Sequence, residues 1–221
     1  MRLLGALTVL PLLSAACSTQ SHRVVEITQD QSAGYAGTLL TPAVPRPDLT
    51  LADISGGTFG LAHRPAREIT AVFFGYTHCP DVCPTTMADL AAAKRLLPPA
   101  VTARLKVVFV TEDPRRDTQP VLRAWLDRFD PSFVGLIGGG SSTSYILSQL
   151  HLPQTTFTSP TPASRPATTG SSASATSGGY AVSHSGIVYV FAQGATLIYT
   201  GGTSPQQYAA DLTRLARRTP A

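Results

Sequence analysis

The stretch Phe73–Thr86 reads FFGYTHCPDVCPTT and places two cysteines four residues apart, each followed by a proline. The apolar run Ile69–Phe74 is typical of a buried strand, and Thr85–Leu97 has the apolar spacing of a helix. In α/β folds, ligands and reactive groups gather where strands end and helices begin. The cysteine pair therefore predicts a reactive or ligand-binding turn at one edge of a sheet.

The rest of the chain alternates between strand-like and helix-like patterns. We expect short strands within 37–60, strands at 105–110 and 133–137, and a hairpin of 180–191 and 196–199 across Gln193-Gly194. We expect helices at 118–129, 141–150 and 205–217, the first with Thr118 as N-cap and Val121, Leu122, Trp125, Leu126 and Phe129 facing inward. This order predicts an α/β fold around a mixed central sheet, with N-terminal strand additions and a C-terminal hairpin plus helix. It is compatible with a thioredoxin-like core.

The N-terminal residues have the pattern of a secretory signal peptide. Residues 1–16 combine one arginine, an apolar run and small residues before Cys17, which predicts a secretory signal peptide. Cys17 then becomes either a lipidated first residue or a free thiol after ordinary cleavage, and we favour lipidation. Residues 17–36 would be a lipid-anchored tether, and 37–221 the folded domain, with a mobile low-complexity insertion at 154–179. The expected location is the cell membrane, lipid-anchored on the extracytoplasmic side.

The composition of the chain favours a globular protein and argues against a nucleic-acid-binding protein. The chain has 221 residues with 43% hydrophobic and 14% charged content, which fits a globular protein. The formal charge is +4, but the basic residues are scattered along the chain. Nucleic-acid binding proteins concentrate such charge on one face. We therefore expect no nucleic-acid partner.

Three kinds of chemistry suit Cys79 and Cys83. At i and i+4 of a helical turn, both side chains lie on one face, near a helix N-terminus that would lower their thiol pKa values. A structural disulfide there would close only a small loop and stabilise little. Thiol–disulfide exchange is possible, although its usual motif has two intervening residues and this one has three. Soft-metal binding needs a third ligand, and two thiolates with one imidazole would suit Cu(I).

The sequence offers five histidines as that third ligand. His22 lies in the tether, His63 in a polar loop, and His151 in a predicted surface position. His78 is adjacent to Cys79, so their side chains should point apart. His184 precedes a buried strand and could face either solvent or a cleft.

Three blocks resemble the SCO/SenC family: FFGYTHCPDVCPTTMADL, VVFVTEDPRRDT and YAVSHSGIVYVF. The resemblance implies a membrane-tethered, thioredoxin-like protein that binds a copper ion and assists assembly of the copper centre of cytochrome c oxidase. It implies Cys79, Cys83 and His184 as metal ligands. Asp81 and Asp113 are candidates to orient or tune these ligands, whereas a turn or N-cap role suits Asp117 at least as well. Ser183 stands where the family commonly has aspartate.

Two functions follow as hypotheses. The first is a copper metallochaperone, which is not an enzyme. Its partners would be a copper donor protein, the membrane, and the copper-bearing subunit of cytochrome c oxidase or another cuproprotein. The alternative is a thiol–disulfide oxidoreductase that reduces the cysteines of a cuproprotein acceptor, with Cys79 and Cys83 as the redox pair. A peroxidase ranks third, because no separate peroxide-reducing cysteine is evident.

Overall fold

The computed structural model describes residues 34–159 and 180–218. In chain order the strands are β1 (Thr38–Leu39), β2 (Thr50–Asp53), β3 (Thr58–Gly60), β4 (Ile69–Gly75), β5 (Leu105–Thr111), β6 (Val134–Ile137), β7 (Thr156–Thr158), β8 (Ala181–Ser183), β9 (Val188–Ala192) and β10 (Ala195–Tyr199). The helices are α1 (Val82–Leu96), α2 (Pro99–Thr102), α3 (Gln119–Leu126), α4 (Gly140–Gln149) and α5 (Pro205–Ala216).

Within these residues the main sheet has the strand order β1-β10-β9-β4-β5-β6-β2-β3. Its centre is parallel, since β4 pairs with β5 and β5 with β6 in the same direction. β9 joins the other side of β4 in the antiparallel sense. Every residue of β4 is buried, which explains why its sequence is a continuous apolar run without alternation.

The two faces of the sheet pack against different helices. On one face Phe73 belongs to a core cluster with Leu90 of α1 and Leu212 of α5. On the other face Phe74 packs in a second cluster that includes Ile146 of α4. Because neighbouring residues of a strand point to opposite faces, β4 contributes to both cores and is fixed from both sides.

The predicted architecture is confirmed. The fold is α/β around a mixed sheet, β1, β2 and β3 add at its edges, and the β9–β10 hairpin is followed by α5. The predicted hairpin arm 180–191 was too long, because β8 pairs with β7 in a separate sheet and only β9 pairs with β10. The hairpin turns at Gln193-Gly194, and Gly194 has a φ of 63°, a conformation that glycine adopts without steric cost.

Some details of the helices were predicted wrongly. α1 begins at Val82, before the expected Thr85, so Cys83 lies inside the helix. Thr118 is the N-cap residue of α3, as predicted, although its side chain makes no capping hydrogen bond. Val121 was expected to face inward and is 40% exposed. At 100° per residue it lies about a quarter-turn from the centre of the face made by Leu122 and its neighbours.

Part of the predicted insertion forms a strand. Within 154–179, β7 pairs with β8 as a separate two-stranded sheet, with Thr156 opposite Ser183 and Thr158 opposite Ala181. The TFT sequence of β7 has strand propensity even though it sits at the edge of a low-complexity run. Residues 160–179 lie outside the described residues.

The predictions for the N-terminus also lie outside the described residues, namely the signal peptide 1–16, lipidation at Cys17 and the tether up to residue 33. In the two described ranges, each helix is too short or too polar to traverse a bilayer.

Candidate metal centre

The register of β4 against β9 brings two distant parts of the chain to one edge of the sheet. The strands run antiparallel, and Phe73 pairs with Val188. The turn with Cys79 follows β4, and His184 lies just before β9. The chain leaves β4 at the same edge where it enters β9. The cysteines and the histidine therefore meet, although 101 positions separate Cys83 from His184.

Local hydrogen bonds shape the cysteine turn. The amide of Cys79 donates to the carbonyl of Tyr76 at 3.2 Å. α1 then begins at Val82, and Pro84 sits in its first turn, where a missing amide hydrogen costs nothing. The amide of Cys83 donates to Sγ of Cys79 at 3.3 Å. The first sulfur thus accepts a hydrogen bond from the N-terminus of the helix that carries the second.

Three possible ligand atoms converge at this turn. Nε2 of His184 lies 3.5 Å from Sγ of Cys79 and 3.5 Å from Sγ of Cys83. All three atoms lie within 4.8 Å of one another, and the two sulfurs are not bridged. Cys83 is fully buried, Cys79 is 8% exposed, and His184 is half-buried. The centre is therefore closed on the side of Cys83 and reachable from the side of Cys79 and His184.

The spacing suits a single metal ion. Metal–sulfur and metal–nitrogen bonds of about 2.3 and 2.0 Å, as zinc makes, put the two ligand atoms about 3.5–3.8 Å apart at tetrahedral or trigonal angles. The observed sulfur–nitrogen separations are 3.5 Å. Structural zinc takes four protein ligands, and within the described residues this group has only three. Two thiols and one imidazole therefore favour a soft ion that accepts three ligands, such as Cu(I).

Burial acts in opposite directions on the two kinds of ligand. It raises the pKa of the Cys83 thiol, although a hydrogen bond from the main chain of Tyr76 partly opposes the rise. The prediction that the helix N-terminus makes thiolate available near neutral pH is thus wrong for Cys83. Burial also lowers the pKa of His184, and the carbonyl of Phe74 opposes this change. The imidazole is therefore neutral near pH 7, whereas Cys83 must release a proton to bind a metal.

Comparison with known proteins agrees with this geometry. The sequence profile of the SCO1/SenC family matches residues 47–217. The chain belongs to this family. A protein of Stutzerimonas stutzeri that is named for copper binding is 32% identical over 145 residues, covering 64% of this chain and 68% of the relative.

Solved structures of SCO1/SenC proteins share the fold. The solution structure of apo Sco1 from Thermus thermophilus has 29% identity and a TM-score of 0.64, covering 82% of this chain and 96% of that chain. Bradyrhizobium japonicum ScoI with copper bound has 25% identity and a TM-score of 0.61, covering 77% and 98%. The thioredoxin-like fold that the resemblance implied is therefore confirmed.

Two acids of the SCO1/SenC motif are buried behind the centre. Asp113 accepts a hydrogen bond from the hydroxyl of Tyr180 on one oxygen and from the guanidinium of Arg116 on the other. Asp117 accepts from the amide of Thr77 at 2.9 Å and from the hydroxyl of Thr111 at 2.6 Å. Asp117 thus links the cysteine turn to the end of β5. Asp113 is connected to the centre indirectly, through Tyr180 and Arg116.

The other predicted side chains lie apart from the ligand atoms. Asp81 is exposed at the N-cap position of α1, and its side chain makes no capping hydrogen bond. That Asp81 orients or tunes the ligands stays a prediction. His63, His78 and His151 are exposed and do not join the group of three, while His22 lies outside the described residues.

Sequence reasoning missed the aromatic side chains around the imidazole. Tyr76 meets the His184 ring edge-on with centroids 5.4 Å apart, and Phe73 does so at 6.1 Å. Tyr180, whose hydroxyl binds Asp113, precedes β8. Tyr76 lies three residues before Cys79 and Tyr180 directly follows the low-complexity run, so their positions were the available signals.

Sequence reasoning also missed Glu112, next to Asp113 at the end of β5. Glu112 is 1% exposed, and one of its oxygens accepts a hydrogen bond from the Thr155 hydroxyl at 2.5 Å. The other oxygen is buried without a partner in the described structure. Burial raises the pKa of Glu112 to about 7.

We expect Gly75→Ala to disturb both the fold and the centre. A Cβ at Gly75 would lie 2.7 Å from Sγ of Cys83 and 2.9 Å from the ring of Phe73. Overpacking of this kind costs about 1–3 kcal/mol in the free energy of unfolding, measured by urea denaturation. Gly60→Ala is the matched control, since its Cβ would meet nothing closer than 3.6 Å. Equal urea midpoints for the two variants would contradict this packing.

We expect Glu112→Gln to change how stability depends on pH. The pKa of Glu112 rises on folding from 4.5 to about 7, so the folded state holds the proton more tightly. This contribution is fully present below pH 4.5 and is lost as the pH rises through 7. The amide of the variant does not titrate. The free energy of unfolding of the variant relative to wild type should therefore increase by about 2.5 kcal/mol between about pH 5 and about pH 8.

Urea denaturation at the two pH values measures this difference. Any constant cost of the amide cancels in the comparison. A difference between variant and wild type that stays the same at both pH values would show that Glu112 is not held neutral by burial.

Proposed function

We propose that this protein binds one copper ion through Cys79, Cys83 and His184 and delivers it during assembly of a copper enzyme. The convergence of three soft-metal ligand atoms within 4.8 Å carries this proposal. Membership of the SCO1/SenC family supports copper as the ion, since a similar ScoI structure holds copper and a Stutzerimonas relative is named for binding it.

The geometry suggests how binding and release proceed. Cu(I) binding deprotonates the thiols, so that two thiolates and one neutral imidazole hold the ion, and affinity falls in acid. The acceptor approaches from the side of Cys79 and His184, because Cys83 is fully buried. Each acceptor thiol that bonds to copper loses a proton, and each departing cysteine takes one up. Copper therefore passes by stepwise ligand exchange without a change in oxidation state.

The acceptor and the location are further parts of the proposal. By family, the acceptor is the copper-bearing subunit of cytochrome c oxidase, and a copper donor protein loads the site. The signal-like residues 1–16 and Cys17 support a lipid anchor on the extracytoplasmic side of the cell membrane. That side is where an exported copper carrier would meet an acceptor exposed outside the cytoplasm.

One observation favours the alternative, a thiol–disulfide oxidoreductase. Cys79 lies at the rim with Cys83 directly behind it, which is the order of an attacking and a resolving thiol. In that role Cys79 would attack a disulfide of the acceptor, and Cys83 would displace the mixed disulfide, leaving the acceptor reduced and this pair oxidised. His184 would then be dispensable.

Copper binding by the reduced full-length chain tests the proposal. Cys17→Ser is included so that Cys79 and Cys83 are the remaining thiols. We expect one copper per chain, with two sulfur and one nitrogen neighbours by X-ray absorption. His184→Ala should weaken Cu(I) binding by more than about 100-fold in competition with a chromophoric chelator, beyond what loss of a supporting contact gives.

His63→Ala is the matched control, because His63 is exposed and outside the centre. It should bind copper like wild type. If His184→Ala kept wild-type affinity and also kept the rate of disulfide reduction, the third ligand would be wrong and the oxidoreductase would be the better function.

A further inference from the structure

Arg116 lies where three contacts around the metal centre meet. Its guanidinium forms an ion pair with Asp113, which is fully buried. The same group lies over the ring of Tyr180, 4.0 Å from its centroid, and 5.7 Å from the centroid of Tyr76. Nη1 also donates to the main-chain carbonyl of Tyr180 at 3.3 Å. One planar cation thus contacts the ring and the main chain of Tyr180 and the ring of Tyr76.

Tyr76 is close to His184 in space, and Tyr180 is close to it in sequence. The ring of Tyr76 packs edge-on against the imidazole with centroids 5.4 Å apart. Tyr180 immediately precedes β8, and His184 immediately follows it. Arg116 therefore contacts the side chain that flanks the imidazole and also the start of the strand that carries it.

The strand needs such support, because the main sheet does not hold it. β8 pairs only with β7 among the described strands, and all three residues of β7 are exposed. Residues 184–187 belong to no strand. Val182 anchors the middle of β8 in the core. At the Tyr180 end, the described polar contacts are those with Arg116 and Asp113.

The two oxygens of Asp113 complete the arrangement. One accepts from the Tyr180 hydroxyl and the other from Arg116. Arg116 therefore contacts the main chain and the ring of Tyr180, and Asp113 accepts a hydrogen bond from its hydroxyl. The positive charge of Arg116 also balances the buried carboxylate of Asp113. A lysine could supply the charge, but it lacks the planar group that stacks on rings while it donates hydrogen bonds.

We infer that Arg116 is a positioning residue of the metal centre, clamping Tyr180 and Tyr76 so that His184 is presented to Cys79 and Cys83. This inference rests on the proposed function, since it concerns the same centre. The clamp itself is a property of the protein before copper binds. It can therefore be measured without the metal.

Arg116→Lys is the sharpest variant, because it keeps a cation beside buried Asp113 and removes only the planar group. In the metal-free full-length chain, amide hydrogen exchange at 181–184 should become at least about tenfold faster, as expected for local opening of a weakly held segment. Exchange in β9 should stay unchanged, since β9 is held by β4 and β10.

Cu(I) affinity should fall about 10- to 100-fold, the usual effect of losing support for a metal ligand. X-ray absorption should show a weaker nitrogen contribution and an unchanged sulfur contribution.

Arg115→Lys is the matched control, the same replacement one position away at an exposed residue. It should match wild type in hydrogen exchange and in copper affinity. The inference is overturned if Arg116→Lys also matches wild type at 181–184, or if exchange quickens there while Cu(I) affinity stays the same. A wild-type chain that binds no copper would refute the proposed function instead, and the exchange comparison would still decide whether Arg116 clamps the strand.

Discussion

The pairing of β4 with β9 is the constraint on which the rest of this structure depends. β4 is buried on both faces, so a slip of one residue would move Phe73 and Phe74 into each other's cores. The register that pairs Phe73 with Val188 is therefore fixed by two hydrophobic cores at once. It also decides which residues leave and enter the sheet at the edge where the cysteine turn meets His184.

Placing the centre against a core has an electrostatic consequence. Burial keeps Cys83 protonated and His184 neutral, so these two ligands carry no charge until a metal arrives. A soft monovalent ion that replaced the two thiol protons would leave a net charge of −1 on the centre, half the charge of two bare thiolates. The acids behind the centre follow the same logic, since Asp113 is paired with Arg116 and Glu112 has a pKa raised by burial.

The sequence could predict the parts that depend on local pattern. The apolar run of β4, the spacing of Cys79 and Cys83 and the β9–β10 turn are all readable in short windows, and the structure has them. His184 could be placed only as one of five histidines until the family resemblance was used, because its approach depends on a long-range register. The orientation of Val121 and the first residue of α1 were predicted wrongly for a related reason. A quarter-turn around a helix, or three residues at its end, is decided by the packing partner.

The contacts of Arg116 with Tyr180 could not be predicted from sequence patterns, because a low-complexity run separates the two residues along the chain. The placement of these contacts gives the centre an asymmetry. The cysteines sit on a turn and helix anchored in the core, whereas the histidine arrives on a strand paired only with exposed β7 among the described strands. Local openings concentrate where few buried contacts oppose them. Of the three ligands, the imidazole is therefore the one whose strand takes the least support from the main sheet. The proposed delivery of copper would use that difference between the ligands.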